Sequence, residues 1–133
     1  MGNVVRSIGA VFAGLLTVVL LSEGTDYALR SAGVYPPLDA GVSGFTDVMF
    51  LGAFAYRTLA GVAGGFVTAA LAPGNAMTHA IILGFVGLAL STAGAIAMWG
   101  VGPAWYPIAL AVAALPAAWL GGWLHQKTRG AVV

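Results

Sequence analysis

The sequence predicts an all-α protein: a transmembrane four-helix bundle with short loops and one longer outer loop between helices 1 and 2. Three observations carry that expectation. Of the 133 residues, 60% are hydrophobic and only 7% charged, against roughly 25% charged residues in an ordinary soluble domain. The mean hydropathy is +0.97, so polar side chains are too few to cover a water-facing globule and lipid is the expected medium. Finally, the apolar residues fall into four stretches, each near the ~20 needed to cross ~30 Å of hydrocarbon. Residues 1–133 read as a single transmembrane domain.

The spans lie at about 4–32, 48–72, 77–99 and 105–124, the first including an outward extension of its helix. Span one resembles a secretory signal in having Arg6 ahead of an apolar run, but "LLSEGTDYA" offers no small-x-small cleavage site, so an uncleaved helix is expected. Gly33 is a plausible C′ stop for it. The connection from Gly33 to Asp47 holds Pro36–Pro37, which forbid helix, and several glycines. "APGNAM" joins spans two and three, with Pro73 and Gly74 as breakers and Asn75 as a candidate N-cap. "GVGPAW" turns the chain between spans three and four. Connections this tight make neighbouring helices antiparallel.

Basic residues set the orientation. Arg6 lies at the amino end, and Lys127 and Arg129 at the carboxyl end. With four spans both termini share a side, which the positive-inside rule makes cytoplasmic. Trp99 and Trp105 then fall at the outer interface and Trp119 and Trp123 at the inner one, as an aromatic belt requires.

Lipid supplies no hydrophobic force between helices, so association depends on small residues that let backbones come close. Span two repeats Ala53, Arg57, Gly61, Gly65 and Ala69 every fourth residue, with Gly61 and Gly65 forming a GxxxG. Span three offers Gly84, Gly87, Ser91 and Gly94; span four offers Ala109, Ala113, Ala117 and Gly121. The expected packing glycines are Gly61, Gly65, Gly84, Gly87 and Gly94. Pro116 is expected to kink the fourth helix near Val112.

Arg57 is the chain's most informative polar residue. A central Arg costs about 2.5 to 3.5 kcal/mol on insertion scales, so it snorkels or faces a partner inside the bundle. Its stripe is that of Gly61 and Gly65, which turns it toward another helix. Glu23, Asp26 and Arg30 follow at i, i+3, i+7 on the extension of helix one. At 1.5 Å per residue Glu23 lies ~28 Å above Val4 and Arg57 ~22 Å above Ala72, about one turn apart; Asp26 is a turn further out, where Arg30 is a second possible partner. The expected polar cluster is therefore Glu23, Asp26, Arg57 and Tyr56, with Tyr27 and Tyr106 as further candidates. Three readings stay open: a structural ion pair between helices one and two, a ligand or proton site, or snorkelling to lipid phosphate.

Other chemistry is weakly signalled. His79 and His125 fall at the same end of spans three and four, where a haem or metal ligand role competes with that of interfacial side chains. Thr68, Ser91 and Thr92 are expected to bond helix backbone. No Cys is present, which excludes disulfides and thiolate metal sites. No G-x-S-x-G, P-loop or HExxH occurs, and the net charge of +1 offers no field for nucleic acid. Neither an enzyme activity nor a cofactor is expected.

Residues Tyr56–Arg57, Gly64–Gly65, His79 and the "GPAWYP" turn, across about Asp47 to Leu124, resemble a group of small bacterial four-span integral membrane proteins to which no function has been assigned. The resemblance implies a multi-pass protein of the bacterial inner membrane and no particular activity. The chain is also similar to small multidrug transporters in having four short spans and a carboxylate on the first helix, although Glu23 stands at the helix end. The functional expectation is a structural or accessory component of the membrane or of a larger membrane complex, with the bilayer and either copies of itself or other membrane subunits as partners. A small dimeric transporter or ligand-binding protein using the Glu23/Arg57 region is the alternative.

Overall fold

The computed structural model describes residues 2–35, 46–97, 99–100 and 103–132. Four helices follow in order: α1 (Gly2–Ser31), α2 (Asp47–Leu71), α3 (Ala76–Ala97) and α4 (Trp105–Val132). All four are long and apolar enough to cross a membrane. The fourth continues past the expected stop at residue 124, because "HQKTRG" contains no breaker strong enough to end a helix already formed. It also runs through Pro116 as one helical segment. The irregular outer loop expected around Pro36–Pro37 falls, over residues 36–45, outside the described residues.

The helix ends follow from local chemistry. Gly33 adopts φ +83°, and its N–H donates to the Arg30 carbonyl while Val34 N–H reaches back to Leu29. That is a Schellman closure, which needs a left-handed residue at C′ and so favours Gly. Thr46 caps α2 by accepting from Met49 N–H at 3.3 Å. Asn75, at φ 50°, makes the sharp turn into α3, a backbone conformation Asn tolerates better than most residues.

Helix α2 is the centre of the bundle. It packs on α1 through one small-residue stripe and on α4 through another, and α4 in turn packs on α3. α1 and α3 touch less, and α1 and α4 stand diagonally apart without backbone approach among the described residues. The buried positions are nearly all small: Ala10 and Gly14 on α1, Ala60, Gly64, Gly65 and Ala69 on α2, Ala80 and Gly84 on α3, Ala117 and Ala118 on α4.

Each contact explains why a larger residue is excluded. A Cβ on Gly64 would press the Gly14 carbonyl at 2.8 Å, and one on Gly65 would lie 2.9 Å from the Ala118 Cα. On Gly84 it would meet Leu115 Cδ1 at 2.6 Å, and on Gly122 the Ala80 Cβ at 2.8 Å. Gly121 is closed off by the Val62 and Phe66 backbone. Gly61 is nearly as tight, its added Cβ 3.2 Å from that of Ala117, while Gly87 has ordinary room at 3.6 Å from Ala114. Gly94 departs from expectation: among the described residues nothing lies within 4 Å of where its Cβ would stand, so it faces open space.

Thr68 is completely buried, and its hydroxyl donates to the Ala10 carbonyl of α1 at 2.9 Å. It therefore bonds across helices, the outcome favoured where no water competes.

Gly65→Val places a branched side chain against α4 backbone and is expected to cost ~3 kcal/mol or more, as overpacking of a rigid contact does. Gly94→Ala is expected to leave stability unchanged or slightly raised, since Ala is the better helix former. Thermal unfolding followed by circular dichroism in detergent compares the two. Equal losses would remove the distinction between a packed and an open glycine.

Candidate functional site

The site is assembled at the end of the bundle where α1 finishes and α2 begins. Opposed pairs Ala10–Thr68 and Gly14–Gly64 set the antiparallel register of α1 on α2. Extended upward, this register puts Ser22 opposite Tyr56, with Asp26 one turn beyond. Side chains on a helix lean toward its N-terminus, so Tyr56 and Arg57 lean toward Asp26 and Asp26 leans back toward them. The offset of one turn is closed from both sides.

Arg57 forms an ion pair with Asp26, its Nη2 donating to Oδ2. The Tyr56 hydroxyl donates to the other carboxylate oxygen, Oδ1. Two adjacent residues of α2 thus grip the two oxygens of one carboxylate. A phenol has a single hydrogen, so at the 3.1 Å contact between the Tyr35 and Tyr56 hydroxyls, Tyr35 donates. Tyr106 of α4 adjoins the guanidinium and stacks obliquely on Phe50 at 5.0 Å. The Arg57 guanidinium also lies 5.8 Å from the Tyr56 ring centre. The side chains of Arg57 and Asp26 are 27% and 15% exposed, so the pair is largely withdrawn from the surface.

Of the expected cluster, the structure brings together Asp26, Tyr56 and Arg57 but leaves Glu23 exposed and off the guanidinium. The reason is direction around the helix. At about 100° per residue, Asp26 lies about 40° from the buried Ser22 and Glu23 about 100° from it, turned away from α2. Depth alone does not separate the two acids. Tyr27, 73% exposed, also stays outside the cluster. Tyr35 is the residue that sequence reasoning misses. It is 6% exposed although it belongs to the segment read as an irregular outer loop. Its signal is its place: an aromatic two residues past the Gly33 turn, where the Schellman closure folds the chain back over α1.

Beside Arg57 lies a cavity of about 160 Å³ bordered by all four helices. Its polar lining comes from Ser22, Arg57, Thr58 and Ser91. The Thr58 hydroxyl is already given to the Phe54 carbonyl at 2.7 Å. Arg57 Nε is buried and has no acceptor among the described residues.

The two histidines have different neighbours. His79 Nε2 contacts the Ser7 hydroxyl at 2.7 Å and Nδ1 the Asn75 carbonyl at 3.0 Å. With Nδ1–H donating to the carbonyl, Nε2 accepts from Ser7, and both nitrogens are occupied. His125 instead lies edge-on to Phe66 at 5.4 Å. Among the described residues no group of three His, Asp or Glu side chains is placed to hold a metal. Trp119 stacks on Trp123 at 6.4 Å, and the Lys127 ammonium sits 4.9 Å over the Trp123 ring.

Asp26→Asn leaves the guanidinium without its counter-charge and is expected to lower stability by ~2–4 kcal/mol, the cost of breaking a buried pair discounted for residual exposure. Glu23→Gln is expected to change it by less than ~0.5 kcal/mol, as for an exposed substitution. Thermal denaturation in one detergent compares them; a Glu23→Gln loss as large as that of Asp26→Asn would reassign the partner of Arg57.

No family model, curated protein or solved structure matches the chain.

Proposed function

We propose that the chain is a multi-pass, non-enzymatic protein of a bacterial inner membrane, with both termini cytoplasmic, serving as a structural or accessory component of that membrane or of a larger complex within it. The observation that carries this reading is the closed Asp26–Arg57–Tyr56 contact. Its one strong cation is answered inside the same chain by an acid from the neighbouring helix, so the charge is spent on fixing helix against helix. An ion pair held this way contributes specificity of packing more than net stability.

The outward surface supports the same reading. Large apolar side chains such as Phe12, Leu59, Phe85 and Val112 are more than half exposed, a surface suited to acyl chains or to apolar helices of other subunits. Copies of this chain or other membrane proteins are the partners such a surface accepts.

Extraction into native lipid particles followed by mass measurement tests the role. A defined oligomer or a stoichiometric co-purifying membrane subunit is expected; a strictly monomeric particle without companions counts against an accessory role. In parallel, Arg57→Ala is expected to cut the amount of inserted, folded protein several-fold. Normal insertion and normal thermal stability in that variant would show that the pair does not organise the bundle.

A further inference from the structure

The cavity beside Arg57 is polar at one end only. Along α1 the order is Ser22, Val18, Leu15; along the antiparallel α2 it is Arg57 then Gly61; along α3 it is Ser91, Gly87, Leu83. The hydroxyls and the guanidinium therefore gather at the Asp26 end, while Leu15, Leu83, Ala117 and Ala118 line the opposite end. The space lies where α1 meets α3 at Ser7–His79 and at Gly14–Leu83 while its backbone stays away from that of α4 among the described residues. At about 160 Å³ it compares with a cavity of about 150 Å³ known to take a benzene molecule.

Charge narrows what suits the polar end. Asp26 already neutralises Arg57, so a second anion would leave unbalanced negative charge in a low-dielectric setting. A neutral acceptor fits better: it takes a hydrogen bond from the guanidinium, whose donors Asp26 does not exhaust, without adding charge. A hydrogen bond of this kind, to a charged donor, is among the stronger ones.

We propose that this cavity binds a small neutral lipophile of about one ring in size carrying a carbonyl or hydroxyl oxygen, its oxygen at Arg57 and Ser91 and its ring toward Leu15 and Leu83. Such a group belongs either to a free molecule dissolved in the bilayer or to the ring-shaped head of a longer lipid. The site does not depend on the accessory role proposed above, since a structural ion pair and an occupied cavity coexist.

The test uses the full chain in lipid nanodiscs, with 4′-fluoroacetophenone as probe, read by fluorine NMR against protein-free nanodiscs to subtract partitioning. Saturable binding is expected, about tenfold or more tighter than that of fluorobenzene, which lacks the oxygen, as one hydrogen bond to a charged donor implies. Gly87 lines the cavity, and a Cβ added there would meet the Ala114 Cβ at an ordinary 3.6 Å, so Gly87→Leu is expected to abolish the saturable component while helix content and a cooperative unfolding transition are kept. Ala113→Val serves as a second filling variant if Gly87→Leu does not fold. A ring-headed lipid is distinguished from a free molecule by whether lipid extracted with the protein displaces the probe. No saturable binding above protein-free nanodiscs overturns the proposal. So does equal affinity for fluorobenzene, or undiminished binding in a folded cavity-filling variant.

Discussion

The approach of α2 to two other helices at once is the constraint on which the rest depends. Its adjacent stripes, Gly64–Thr68 toward α1 and Gly61–Gly65 toward α4, leave almost no side chain between backbones. In lipid this closeness replaces the hydrophobic force that joins helices in water: dispersion contacts multiply, and a hydroxyl such as that of Thr68 reaches a neighbouring carbonyl. Register follows directly. Once Gly14 sits on Gly64 and Ala10 on Thr68, the position of Asp26 relative to Tyr56 and Arg57 is decided, and the polar cluster forms where the small-residue seam ends.

That origin explains why the charged pair stands where it does. An arginine deep in the seam would need space that Gly64 and Gly65 do not leave. At residue 57 the seam has opened enough for a guanidinium, and the lean of side chains toward the helix N-terminus carries it to an acid on α1. The neighbouring cavity adjoins the same end of the seam, with Arg57, Thr58 and Gly61 of α2 in its lining.

Much of this is legible in the sequence, and the exceptions share a physical reason. Four helices, their breakers and the Gly33 stop follow from composition and turn chemistry, which act locally. Gly61, Gly65 and Gly84 are recognisable by spacing, but spacing does not say which stripe meets a neighbour: Gly94 continues the pattern of α3 into open space, whereas Gly14 and Gly64 carry the α1–α2 contact. The Ala10–Gly14–Ser22 spacing in α1 holds that information, and it is visible only when each helix is read against its partner. The same limit applies to Glu23 and Asp26. Their depth is given by counting residues, whereas the side of the helix that faces α2 is given only by packing. Tyr35 depends on where the chain folds after α1, which no periodicity in α1 records.

The sequence distance between the paired charges has a consequence for biogenesis. Asp26 and Arg57 are 31 residues apart, so as the chain leaves the ribosome at ~5–20 residues per second the acid is made roughly 2–6 s before its cation. Through that interval α1 has Asp26 but not yet Arg57, so the ion pair that ties the two helices closes only after α2 has been made.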